Sequence, residues 1–249
     1  MAKKRALPRM PFLKELESLG APRALSARLR DFLAERHPGA QDKIYHGLAH
    51  TCEVAALTAR LLRSWPRVPR GRKVLLILAA ALHDVDPTRR PGTPARVDAT
   101  LAHLENDPEA RSLLWEYGEL FDFTPAQVCA LILATDYSPF PEEMKAKRAQ
   151  FVRASQGVFG DDPWIPEWGR RLAYWDQIST YLDSTDKARR RVAGLARELR
   201  ADARQPLGMS EISRRFLTGL RKDPLFEYLP ADDRRRFDAA LASFARDAG

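Results

Sequence analysis

Apolar residues recur every three or four positions along most of this 249-residue chain, and no stretch shows the strict alternation of a half-buried strand. The pattern predicts an all-α fold, as one domain over residues 1–249 with its core at about 40–190. Extra helices are expected on either side of that core, at 11–36 and at 187–248. The individual helices are predicted at 11–19, 22–36, 46–64, 72–84, 95–105, 108–119, 125–135, 142–155, 167–183, 184–203, 209–221 and 231–247.

Composition is that of an ordinary globular protein, with 45% hydrophobic and 30% charged residues. No apolar run approaches the roughly 18 residues of a membrane-spanning helix, and the basic N-terminus lacks the apolar segment of a secretory signal. We therefore expect no membrane partner. Cys52 and Cys129 both fall in predicted helices, which favours reduced core cysteines and a cytoplasmic location over a disulfide framework.

The net charge is +8, and the sequence pI is about 9.7. Arginines cluster at 189–191, 214–215 and 234–236, with acidic residues nearby and no interleaved aromatics. That arrangement favours solvated helix faces over a nucleic-acid surface. A basic field would also attract a small anionic substrate, so the charge alone does not choose between functions.

Three of the five histidines fall in two short strings. In the first, Tyr45-His46-Gly47-Leu48-Ala49-His50, the imidazoles of His46 and His50 are four positions apart and share one helix face. The second is His83-Asp84, which ends the apolar run Val74–Leu82. A carboxylate beside such a buried helix is costly unless a counter-charge compensates it, and a metal ion can do so.

A third candidate, Asp176, lies in the core-like helix Leu172–Leu182. An unpaired carboxylate there would have a raised pKa, whereas pairing with a metal removes that cost. Each string alone could be a satisfied core histidine or a helix-end contact. Together, the side chains of His50, His83, Asp84 and Asp176 form a mixed imidazole and carboxylate set suited to a divalent transition metal.

The order His50, His83-Asp84, Asp176 on successive helices resembles the HD-domain superfamily of metal-dependent phosphohydrolases, an all-helical family with an H…HD…D ligand set. The similarity spans roughly residues 40–190 and implies a single HD-type helical bundle. The string Tyr45–His50 is also similar to the first motif of cyclic nucleotide phosphodiesterases. Gly47 stands where that branch has Asn, and Pro87 where it has His, so the similarity covers the metal core better than it covers cyclic-nucleotide specificity.

The resemblance implies that His50, His83, Asp84 and Asp176 bind a first cation and that Asp84 can bridge to a second. One or two divalent ions are expected, with Mn, Mg, Fe, Ni, Co and Zn all open. His46 would be the general acid that protonates the departing alkoxide. Its alternative role is a structural hydrogen bond near the start of the helix.

Candidate substrate contacts are Tyr45, Arg89, Arg90 and Asp136, which lie within or near the motifs. The alternative for Arg89 and Arg90 is a solvated surface charge, and for Asp136 it is ordinary helix capping. The expected activity is hydrolysis of a phosphoester of a nucleotide or related metabolite, with a phosphodiester favoured. A phosphomonoesterase or nucleotidase, a non-catalytic nucleotide-sensing module, a di-iron redox enzyme and a nucleic-acid binder are the other classes considered. The oligomeric state stays open.

Four prolines, at 139, 141, 163 and 166, interrupt the helical pattern of residues 137–169. The sequence therefore predicts one short helix there, at 142–155. Residues 157–168 mix aromatic side chains with turn formers, and they could cover a site as a lid.

Overall fold

The computed structural model describes residues 8–37, 47–87, 96–136, 141–200 and 209–247. Within these ranges the chain is helical and contains no β-strand, so the predicted all-α class is confirmed. No helix in them is both long and apolar enough to cross a membrane. The helices are α1 (Pro11–Ser18), α2 (Arg23–Arg36), α3 (Leu48–Arg63), α4 (Arg70–Leu82), α5 (Val97–Asn106), α6 (Pro108–Phe121), α7 (Pro125–Ile132), α8 (Pro141–Phe159), α9 (Trp164–Ser179), α10 (Thr185–Arg200), α11 (Met209–Lys222) and α12 (Ala231–Asp247), with 3-10 turns at Leu133–Thr135 and Pro224–Tyr228.

Helices α3 and α4 pack along each other at the centre of the fold. Every residue of α4 from Val74 to Leu82 is buried, because α3, α7 and α9 all pack against this helix. A helix that is apolar on all sides needs such cover. α3 also contacts α1 and α9. The motif residues at the N-terminal end of α3 and at the C-terminal end of α4 are therefore buried in the bundle.

The segment with four prolines is more helical than predicted. α8 runs for 19 residues, and Pro141 occupies its first position. Pro163 is the N-cap of α9, and Pro166 lies in the first turn of that helix, where a backbone N–H has no acceptor within the helix. Residues 157–168 are therefore the end of α8, a short turn and the start of α9. Asp162 in that turn pairs with Arg72 of α4.

The C-terminal helices pack on the core through aromatic side chains. The Tyr174 hydroxyl of α9 donates to the backbone carbonyl of Leu220 at 3.0 Å. The guanidinium of Arg171 lies over the rings of Trp65 and Tyr228, at 4.5 and 4.9 Å from their centroids. Arg171 is buried, so these cation–π contacts join α9, the end of α3 and the segment before α12.

Candidate metal site

The first motif histidine enters the bundle at the start of α3. Gly47 is the N-cap, in an extended conformation, and its carbonyl accepts from the backbone N–H of His50 at 2.8 Å. His50 therefore lies in the first turn of the helix. The hydroxyl of the next residue, Thr51, is hydrogen-bonded to Nε2 of the buried His37 at 2.9 Å. This contact fixes the helix start against the residue that ends α2.

The second motif ends α4, with His83 as the C-cap. Its Nδ1–H donates to the backbone carbonyl of Ala80 at 2.8 Å, since a carbonyl can only accept. The ring is thereby held with Nε2 pointing away from α4, as in metal-binding histidines whose other nitrogen is anchored. Nε2 of His83 is buried and has no hydrogen bond of good geometry to any described residue.

Asp176 of α9 completes the group. Its Oδ1 lies 2.9 Å from Nε2 of His50 and 3.3 Å from Nε2 of His83. Oδ2 of Asp84 lies 3.4 Å from the same atom of His83 and 3.9 Å from that of His50. The two imidazole side chains are 1 and 2% exposed, and the carboxylates of Asp84 and Asp176 are 8 and 16% exposed.

These distances suit a shared cation. Metal–ligand bonds of about 2.1 Å place neighbouring ligand atoms about 3.0 Å apart at octahedral angles and about 3.4 Å apart at tetrahedral angles. His50, His83 and Asp176 each offer one atom within 4.8 Å of the others, so the group could bind a metal ion. Among the described residues, this is the one group of three or more His, Cys, Asp or Glu side chains whose ligand atoms all lie that close together. Asp84 lies beside it as a fourth candidate.

The carboxylates set the electrostatics of the site without a metal. Burial alone would lower the pKa of His83, but the charges of Asp84 and Asp176 outweigh it and raise the pKa to about 10. Burial likewise opposes ionisation of Asp176. The His83 charge and the hydrogen bond from His50 outweigh that effect and hold the pKa of this carboxyl well below its usual range. The site therefore stabilises positive charge between its carboxylates, which a cation could supply in place of a proton.

One neighbour of the site could not be inferred from the motifs. Glu53, one helical turn after His50, has its carboxylate 2.9 Å from Nζ of Lys187 and 2.6 Å from an Arg191 nitrogen. These ion pairs join α10 to α3 near the candidate ligands. Arg191 was expected on a solvated face, but its side chain is 12% exposed. In the sequence, an acidic residue so close to His50 was the only sign of a role for Glu53. Its partners Lys187 and Arg191 are brought to it by helix packing, which the sequence does not show.

The remaining predicted residues divide into two groups. Asp136 ends the 3-10 turn that packs on α9, and its carboxylate pairs with Lys147 of α8, a residue that the sequence did not single out. It is not a member of the His50, His83 and Asp176 group. The other four predicted contacts lie outside the described residues: Tyr45, His46, Arg89 and Arg90.

Comparison with known proteins adds no family assignment. No protein-family model matches this chain, and no curated protein sequence matches it significantly. The site's own geometry is therefore the basis for a functional hypothesis.

Proposed function

We propose that this chain is an HD-type metal-dependent phosphohydrolase that cleaves a phosphoester of a nucleotide or related metabolite. The observation that supports the proposal most is the meeting of His50, His83 and Asp176 from three helices, with Asp84 beside them. Their order along the chain is the H…HD…D order of that family. A phosphodiester, such as a cyclic nucleotide, is the favoured substrate because Tyr45–His50 resembles the phosphodiesterase motif.

In this proposal His50, His83 and Asp176 would hold a divalent cation, with Asp84 as a fourth ligand. By the family resemblance, Asp84 would also be the ligand shared with a second cation. When bound, the cation supplies Lewis acidity toward the phosphoryl oxygens and a water of lowered pKa as nucleophile. His83 must give up its Nε2 proton to become a ligand, because only the lone pair of a neutral imidazole can coordinate. The anchored Nδ1–H of His83 keeps the ring oriented during that exchange.

The general-acid role of His46 belongs to the same proposal and rests on the family resemblance. An imidazole four positions before His50 in the chain could donate a proton to a departing alkoxide at neutral pH. His46→Gln should therefore slow turnover of an ester with a poor leaving group more than turnover of a nitrophenyl ester. Metal binding should be the same in that variant and in wild type.

The test of hydrolysis is turnover of bis-p-nitrophenyl phosphate and p-nitrophenyl phosphate with added Mn²⁺, Mg²⁺, Ni²⁺ or Fe²⁺. Activity that requires metal and is lost in Asp84→Asn supports the proposal. Asp161→Asn is the matched control, since Asp161 is exposed and lies in the turn after α8. The ratio of the two rates decides between a diesterase and a monoesterase. Absence of metal-dependent turnover for both esters would overturn the proposal.

A further inference from the structure

A cleft of about 760 Å³ lies between the 3-10 turn Leu133–Thr135 and helices α8, α9 and α11. Small-molecule sites typically have volumes of about 300–1,000 Å³. None of the four candidate metal ligands is among the described residues that line the cleft. The cleft is therefore separate from the candidate metal site. It could hold the part of a substrate that does not contact the metal.

The cleft and the candidate metal site share helix α9. The wall that α9 contributes includes Gly169, Ala173 and Gln177, which recur at a spacing of four residues and so form one stripe. Asp176 is next to Gln177 in the chain, and at about 100° per residue its side chain leaves the helix about 60° from the centre of that stripe. The cleft wall and Asp176 therefore occupy adjacent faces of one helix.

The rim of the cleft is rich in cations. Four basic side chains and two acidic ones line it: Lys147, Arg148, Arg170, Arg215, Asp136 and Asp223. Two of the cations are neutralised, since Lys147 pairs with Asp136 and Arg170 contacts both carboxylate oxygens of Asp223 at 2.9 and 3.1 Å. Arg148 is exposed and has no acidic partner among the described residues. Guanidinium groups at such positions suit phosphate oxygens.

The floor of the cleft is apolar and close-packed. Phe151 of α8 is buried and lies directly on α9 at Gly169, where a Cβ would come within 2.2 Å of the ring's Cζ. Tyr174 is also buried, with its hydroxyl already bound to a backbone carbonyl. Phe216 of α11 is half-buried on the other side. Phe151 and Tyr174 are buried beneath the cleft, and the half-buried Phe216 is the ring of these three on which a planar group would stack.

We propose that this cleft binds the organic part of the phosphoester, a planar apolar group of nucleobase size, and that Arg148 at its rim contacts a phosphate oxygen that the metal does not hold. The inference rests on the proposed function, because it assigns the cleft to the substrate of that same site. It also adds a specificity that the metal ligands cannot supply: an ester with a flat aromatic body should bind better than inorganic phosphate, before any metal is present.

Two glycines offer a matched pair of variants. Gly219 of α11 lines the cleft, and a Cβ built there meets nothing within 4 Å, so Gly219→Leu should project into the cleft without displacing the core. Gly157 of α8 also has open space around its Cβ but does not line the cleft, so Gly157→Leu is the control. A second pair is Arg148→Glu with Lys145→Glu, both at exposed positions of α8, of which only Arg148 lines the cleft.

The experiment measures binding of 1-naphthyl phosphate and of inorganic phosphate to the full chain in EDTA, by titration calorimetry. Wild type should bind the aryl phosphate at least tenfold more tightly than inorganic phosphate. Gly219→Leu should weaken binding of the aryl phosphate at least tenfold, and Arg148→Glu should weaken it at least fivefold. Gly157→Leu and Lys145→Glu should match wild type within twofold.

Wild-type affinity for the aryl phosphate in Gly219→Leu, with the variant's folding checked by circular dichroism, would overturn the inference. So would equal affinities of wild type for the two probes. Because metal is absent, these outcomes are independent of hydrolysis. If the nitrophenyl esters are not turned over but the aryl phosphate still binds in a manner sensitive to Gly219→Leu, the proposed hydrolysis fails and the cleft assignment stands.

Discussion

Asp176→Asn is the substitution that tests the candidate metal site most directly. The change keeps the shape of the side chain and removes its charge. In the wild-type site Oδ1 of Asp176 lies 2.9 Å from Nε2 of His50 and 3.3 Å from Nε2 of His83. Oδ1 of Asp176 is thus central to the group. Among the described residues, Asp84 is the other carboxylate paired with these two histidines, at 3.9 and 3.4 Å.

The expected effect can be estimated from linkage. At a Zn²⁺ concentration one hundred times the dissociation constant, binding to the folded state adds about 2.7 kcal/mol to the free energy of unfolding. For a chain of about 250 residues, 1 kcal/mol raises the Tm by about 2–4 °C, so wild type should gain about 5–11 °C. Partners that only orient a metal ligand change affinity by about 10–100-fold, and loss of a ligand itself should reach at least the upper value. At the same Zn²⁺ concentration, Asp176→Asn should then gain only about 1–2 °C.

The assay is thermal unfolding of EDTA-treated protein with and without Zn²⁺, followed by circular dichroism. Asp161→Asn makes the same chemical change at an exposed position and should keep the full wild-type shift. Equal Zn²⁺-dependent shifts for Asp176→Asn and wild type would refute the assignment of Asp176 as a ligand. Elemental analysis should agree with the thermal result, with less bound Zn²⁺ in Asp176→Asn than in wild type.

Three further predictions concern stability and reactivity. The pKa of His83 in the metal-free folded protein, about 10, is above its ordinary 6.5, so its stabilising contribution is complete below pH 6.5 and is lost as the pH rises toward 10. The free energy of unfolding by urea in EDTA should therefore fall above pH 7, by at most about 1.4 kcal/mol per pH unit from this group, and the fall should be shallower in His83→Gln. Gly169→Ala places a methyl group against the Phe151 ring and should cost about 1–3 kcal/mol, a loss that Phe151→Leu should partly rescue in a double-mutant cycle. Burial raises the thiol pKa of Cys52 to about 12 and of Cys129 to about 11, so neither free thiol should react quickly with a disulfide reagent at pH 8 until the protein is denatured; rapid reaction of the native protein would contradict this.

Much of the helical architecture could be predicted from the sequence, because the periodicity of buried positions is a local property. The predicted helices at 11–19, 22–36 and 108–119 match α1, α2 and α6 within one or two residues. The signals were weaker where local cues have two meanings. Prolines within 137–169 were interpreted as breaks, whereas Pro141 and Pro166 lie in first helical turns, which tolerate proline.

The candidate ligands were predictable by residue type but their geometry was not. A scarce histidine beside a long apolar run, and an aspartate inside a core-like helix, point to buried charge that needs a partner. The chain nevertheless separates His50 from Asp176 by 126 residues, and only the packing of α3 against α9 brings these side chains to 2.9 Å.

The sequence by itself determined that the protein is helical, which faces of its helices are buried, and that two imidazoles and two carboxylates lie on or beside buried helices. Tertiary structure alone decided that Asp136 pairs with Lys147, that Glu53 holds α10 against α3, and that a cleft opens along α9 at Ala173 and Gln177. The physical reason is one of range. Helix formation depends on residues three and four positions apart, whereas ion pairs and clefts depend on the distances between helix faces, which the packing of the whole core sets.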